Sequence, residues 1–214
     1  MNKVYLLLFL ISLLSAISCR QKEVKTPLPF YNSADFTPEW IEKSDPKFSQ
    51  IHTIDTFSLT NQEGKSISNA SFKGNIYVAD FFFTICPSIC PKMTSNMMRI
   101  QEAFNSDQVK IASFSVMPWA DSVDVLKNYA EVKGIDSEQW HLLTGGTEEI
   151  YELARKSFFA EKAVGLNKAS DEFLHTENFI LVDTKGRIRG VYNGTLPIEM
   201  TRLQRDIKTL LALG

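Results

Sequence analysis

The sequence is poor in cysteine and histidine, with three of each in 214 residues. Only Cys86 and Cys90 fall in the part of the chain that reads as folded, and no third cysteine joins them there. The chain also lacks a basic run, an internal repeat and a low-complexity tract, and its formal net charge is −2. Nothing in it is suited to gripping a phosphate backbone, so nucleic acid is excluded as a partner. It lacks, too, the ~20 consecutive apolar residues that a membrane-spanning helix needs. The longest such run, Val4 to Ser18, follows the single early Lys3 and falls short of that length. What is present in quantity is hydrophobic residues, 44% of the chain, enough for the core of one ordinary globular domain.

The run from Val4 to Ser18 has the makings of a secretory signal. It ends in Ser15-Ala16-Ile17-Ser18 before Cys19, which resembles a bacterial lipobox, with Ala16 where leucine is usual. Residues 1–18 are therefore expected to be removed and Cys19 to carry lipid; cleavage without lipid is the alternative. Lipidation would account for the odd cysteine count, one anchor and one working pair. Export also puts the folded part where disulfides can form.

From Arg20 to Pro46 the chain carries Pro27, Pro29, Pro38 and Pro46 among charged residues with no sustained period, and is expected to be a tether. Its aromatics, in Leu28-Pro29-Phe30-Tyr31 and Phe36 to Ile41, are expected to pack on the domain surface. The domain proper, residues 47–214, is expected to start near Phe48. Thr56 to Thr60 and Lys65 to Ile67 read as a hairpin around Asn61 to Gly64. Asn75 to Phe83 reads as a buried strand, Pro91 to Phe104 as a helix and Val109 to Val116 as a strand, a parallel crossover. Ser122 to Lys133 forms a helix closed by Gly134, and Trp140 to Thr144 a short strand. Thr147 is expected to cap a helix running to Phe158, with Glu148 and Glu149 favouring its dipole. Phe179 to Asp183 and Arg187 to Tyr192 read as a second hairpin, and Thr195 with Pro197 opens a closing helix to Leu213. This order describes an α/β, thioredoxin-like fold with an N-terminal β-hairpin extension and an inserted loop.

Chemistry is expected in Thr84-Ile85-Cys86-Pro87-Ser88-Ile89-Cys90-Pro91, where the buried strand gives way to a helix. Each cysteine precedes a proline, which disfavours helical backbone, so both are expected in a tight loop. Pro91 suits the first helical position, which aims free helix amides at the sulfurs and favours thiolates. A four-residue offset can bring the two alpha carbons within disulfide range. The pair can be oxidised or can hold a soft metal, but not both at once. Asp80 lies six residues before Cys86 on the buried strand and resembles the buried acid of thioredoxins. A carboxyl there has a raised pKa suited to shuttling a proton to a buried thiol; a merely satisfied polar residue is the alternative. Of the histidines, His52 lies at the domain entrance, and His141 lies in a strand pattern, where a structural histidine is expected over a ligand. His175 closes an aperiodic segment from Phe159 to Leu174, of a length that in compact domains is functional or disordered. It is the candidate third ligand, with a surface histidine as the alternative.

Cys86-Pro87-Ser88-Ile89-Cys90-Pro91, with His175 ahead of Asn178 to Asp183, is similar to the SCO/SenC proteins, copper chaperones for cytochrome c oxidase assembly. Supporting marks are Ser115-Val116, Pro118, Asp121, Leu143-Thr144-Gly145 and Tyr192-Asn193-Gly194, and the likeness spans Phe48 to Gly214. The resemblance implies a thioredoxin-like fold and copper held by Cys86, Cys90 and His175. Two thiolates and one imidazole suit Cu(I), and an added oxygen donor would accommodate Cu(II); zinc prefers four closed ligands. The implied protein is a metallochaperone in the bacterial cell envelope, lipid-anchored at Cys19 with its domain outside the cytoplasm. Its implied partner is the copper-receiving subunit of a respiratory oxidase. The chain departs from the family at Met117, where aspartate is common, and at Ile85, where histidine is frequent. Met117 could supply a thioether donor, with a core or rim methionine as the alternative. The competing function is a thiol-disulfide oxidoreductase that keeps the cysteines of a partner's copper site reduced, with Cys86 and Cys90 as its redox pair. A third class, a structural disulfide in a binding module, leaves the loop ending at His175 unexplained.

Overall fold

The computed structural model describes residues 27–160 and 176–213. Its centre is a seven-stranded sheet in the order β4-β3-β7-β6-β5-β8-β9. Strand β5 (Ile76–Phe82) is buried along its whole length, so it needs cover on both faces. It pairs in parallel with β6 (Val109–Ser115) through the crossover helix α2 (Cys90–Ala103). β6 pairs in parallel with β7 (Trp140–Thr144) across α3 (Val123–Lys133). Ser122 caps α3, and Gly134, at φ 71°, ends it in the left-handed conformation that glycine adopts without a Cβ penalty.

On one flank β8 (Asn178–Val182) runs antiparallel to β5 and forms a hairpin with β9 (Ile188–Asn193). On the other, β3 (Ser58–Asn61) forms a hairpin with β4 (Ser66–Ser68), which leads into the single turn α1 (Asn69–Phe72), and also pairs with β7. Two cores result. Met93, Met97 and Ile100 of α2, Leu126 of α3, and Leu203 and Ile207 of the last helix α5 (Pro197–Leu211) cover one face. Phe57, Phe72, Phe81, Phe114 and Phe158 fill the other. The expected thioredoxin-like architecture is found, with the crossover and both hairpins in place.

Four local expectations change. Cys90 is the first residue of α2 rather than part of the loop: the Ile89 carbonyl accepts from the N–H groups of Lys92 and Met93, both at 3.0 Å, and these bonds outweigh the preference set by Pro91. Gly146, not Thr147, takes the cap position of α4 (Thr147–Glu152), and no side chain caps that helix. After Glu152 the helix widens into a π turn, Leu153–Ser157, and Phe158 drops fully into the core beside Phe81 and Phe114. At α5, Leu196 is the cap residue, while the Thr195 hydroxyl donates to the Asn193 side chain, and the helix ends at Leu211.

The stretch read as a tether is seated on the domain from Leu28 onward. β1 (Phe30–Tyr31) and β2 (Pro38–Glu39) form a small hairpin. Arg189 of β9 donates to the carbonyls of Leu28 and Pro29 at 2.6 and 2.9 Å. Phe30 is buried, with the Arg189 and Arg187 guanidiniums 4.0 and 4.9 Å from its ring centre. The aromatics of the stretch thus pack as expected, but through charged partners that local sequence does not reveal.

Candidate dithiol site

β5 ends at Phe82, and the chain reaches α2 through a loop carrying Cys86. Both thiols are free and buried. The Cys86 N–H donates to the Phe83 carbonyl at 3.4 Å, which turns the loop back toward the strand end. Burial alone would push the Cys86 thiol up. The N–H groups of Cys90, Ser88 and Ile89, together with the Cys90 thiol, overcome that and hold it below the ordinary range. These amides are the open start of α2, where the backbone favours negative charge. Cys90 is pushed up to about 12, by burial first and then by its neighbours Cys86 and Asp80, against an opposing N–H from Phe83. The arrangement gives one thiol primed to ionise beside one that keeps its proton. It can open a disulfide from one side, or take up a soft metal with release of the second proton.

Asp80 lies beneath the pair on β5. Its carboxyl accepts from the Ser113 hydroxyl, which in turn accepts from Trp140 Nε1 at 2.7 Å. Burial pushes Asp80 up to about 7, with the Ser113 bond opposing. Its raised pKa follows from burial as expected.

A second buried carboxylate carries more of the site's geometry. Asp121, fully buried in the loop after β6, accepts from the Thr84 N–H at 3.2 Å and from the Thr84 and Ser115 hydroxyls, each at 2.5 Å. It thereby ties the cysteine loop to the end of β6. In the sequence Asp121 stands out only as a mark of family likeness; its partner Thr84 lies 37 residues away, so no local pattern reveals the contact. In the same loop the half-buried Met117 donates its N–H to Ser115 Oγ at 3.2 Å. Ile85 and Trp119 are exposed, at 65% and 63%.

His175 and Cys19 lie outside the described residues. Glu177, two positions beyond His175, is fixed: its carbonyl accepts from the Gly194 N–H and its carboxylate from Asn193 Nδ2, both at 2.7 Å. The Gly194 carbonyl accepts from Asn96 Nδ2 of α2 at 2.8 Å, the helix that opens with Cys90. The other two histidines are structural. His52 Nε2 sits 2.7 Å from the Ser157 carbonyl and its ring packs on Phe159, while His141 lies 3.4 Å from Asn61 Nδ2 with burial pushing its pKa down to about 4. Among the described residues no three His, Cys, Asp or Glu side chains are grouped to hold a metal, and no helix is long and apolar enough to cross a membrane.

A thioredoxin-like sheet with a pair of unequal thiols at its strand-to-helix seam defines a thioredoxin-like dithiol protein. Within that class the SCO1/SenC family model matches residues 46–212, and the chain belongs to that family. Among solved structures, BsSco, a member of the Sco family of cytochrome c oxidase assembly proteins in which a disulfide switch was identified, is 35% identical. The match covers 77% of this chain and 96% of that one at a TM-score of 0.64. A SCO1/SenC family lipoprotein from Bacillus anthracis is 32% identical over 74% of this chain and 95% of that one, at 0.65. ScoI from Bradyrhizobium japonicum, solved with copper bound, is 25% identical over 74% and 99%, at 0.55.

Proposed function

We propose that this protein is an exported copper chaperone, anchored by lipid on Cys19 in the bacterial cell envelope. It takes one Cu(I) as cargo on Cys86, Cys90 and His175 and hands it to the copper-receiving subunit of a respiratory cytochrome oxidase. The observation that carries the proposal is the unequal dithiol at the start of α2, found in a member of the SCO1/SenC family. Cys86 is held ready to act as the first thiolate, and Cys90 gives up its proton only when a soft cation replaces it. The copper bound to a ScoI relative supports copper as the cargo. The lipoprotein among the relatives supports the anchor.

Ligand exchange with a partner thiolate needs an approach to the pair. The exposed Ile85 beside Cys86 and the exposed Trp119 in the adjoining loop are where a recipient would touch. A second reading, thiol-disulfide exchange with the recipient's cysteines, is favoured by Asp80, a carboxyl pushed up to about 7 beneath Cys90. Mixing copper-loaded full-length chain with a reduced copper-receiving oxidase domain separates the two. The chaperone reading expects copper transfer that His175→Ala impairs while disulfide exchange survives. Absence of transfer, with disulfide turnover indifferent to His175, would leave only the exchange reading.

A further inference from the structure

Backbone amides serve both sulfurs, so whatever fixes those amides fixes the site. The N–H of Thr84 and the carbonyl of Phe83 belong to one planar peptide unit and must turn together. The N–H end of that unit is held by Asp121 Oδ2 at 3.2 Å, and the carbonyl end accepts the Cys86 N–H at 3.4 Å. The next amide back, the Phe83 N–H, is bonded to the Cys90 sulfur. The Thr84 hydroxyl adds a second, 2.5 Å grip on Asp121 Oδ1, and the Ser115 hydroxyl pins the carboxylate to β6. All of these donors are neutral, and no cation pairs with Asp121 among the described residues. A buried carboxylate answered only by neutral donors is a costly brace if bracing is its whole purpose. What it gains is charge-assisted bonds, shorter and stiffer than neutral ones, on the peptide whose carbonyl holds the Cys86 N–H and whose neighbour supplies an amide to the Cys90 sulfur.

We infer that Asp121 is a positioning residue of the dithiol: it locks the Phe83–Thr84 peptide plane, and with it the carbonyl that holds the Cys86 N–H and the adjoining Phe83 N–H that meets the Cys90 sulfur. The inference rests on Cys86 and Cys90 being the working pair, and it goes beyond the copper reading because it applies whether the pair meets copper or a disulfide.

The test compares Asp121→Asn, Thr84→Val and Ser115→Ala with the unaltered full-length chain in detergent. Three quantities are read: melting temperature, hydrogen exchange at the Cys86 amide, and the equilibrium with glutathione. In that equilibrium two cysteine thiols reduce one oxidised glutathione to two reduced ones as the Cys86–Cys90 disulfide forms. Asp121→Asn is expected to raise Cys86 amide exchange and move the equilibrium toward the disulfide by about tenfold, since the reduced pair loses aligned donors. Thr84→Val should shift both in the same direction by less. Ser115→Ala, which cuts the brace away from the peptide plane, should lower the melting temperature and leave both site readings in place. The inference is overturned if Asp121→Asn behaves like Ser115→Ala. Should Asp121→Asn fail to fold, Thr84→Val decides, and unchanged exchange and equilibrium there overturn it equally. Failure of the copper reading would appear instead as an unaltered chain that does not bind Cu(I), which touches neither site reading.

Discussion

The two ends of the central sheet bury carboxyl groups in opposite ways. At the end where β8 turns into β9, Asp183 is paired with Arg187 at 2.8 Å and Arg189 at 3.2 Å, and Phe30 lies under both guanidiniums. At the end where β5 gives way to α2, Asp80 and Asp121 are buried with hydroxyl and amide donors and, among the described residues, no cation. Compensated charges make a clamp, here one that seats the N-terminal segment. Without a cation beside it, buried Asp80 is pushed up to about 7, so at the thiol end a proton can be held or released near neutral pH, as metal uptake or disulfide exchange requires.

The sharpest way to break this contrast is at the sulfurs. Cys86→Ser or Cys90→Ser should abolish tight Cu(I) binding while thermal stability stays close to the parent, as read by competition titration and a melt. Next in size, Asp183→Ala should cost about 3 kcal/mol or more, because it leaves two largely buried guanidiniums unpaired. Denaturant unfolding would measure the loss, and Cu(I) affinity should not move; a matched fall in affinity would mean that the two ends are not separate.

Asp80 predicts a pH dependence with a definite sign. Its folded pKa of about 7 lies above its ordinary value of 3.8, so the folded state holds a proton that the unfolded state releases. The native state is therefore favoured at low pH and loses up to about 4 kcal/mol as pH rises from the ordinary carboxylate range to about 7. Asp80→Asn should remove that slope. The slope is read as the difference between parent and variant, because His141, pushed down to about 4, titrates in the same range with the opposite sign. The smallest expected effect is His175→Ala, which should weaken Cu(I) binding without abolishing it and leave disulfide formation intact.

Much of the fold was legible because periodicity and punctuation agree with tertiary structure. The all-apolar run around Val78, the helical spacing of Met93, Met97 and Ile100, and Gly134 after Lys133 each fix an element by local rules. The thiol pair was legible for the same reason, lying where a buried strand meets Pro91. The rest depends on partners remote in sequence. Arg189 reaches Pro29 across 160 residues, so the proline-rich stretch that looks like free linker is docked from Leu28. Asp121 meets Thr84 only once β5 and β6 are paired. The π turn before Phe158 seats that ring beside the stacked Phe81 and Phe114, a contact that no window of sequence describes. Cys90 joins the helix despite Pro91 because Ile89 supplies the bonds of the first turn.

The most direct test of the account is an anaerobic Cu(I) titration of the reduced full-length chain in detergent against a competing chelator, run beside Cys86→Ser, Cys90→Ser and His175→Ala. One tightly held copper is expected, lost in both serine variants and weakened in His175→Ala. Full affinity retained by either serine variant would contradict it.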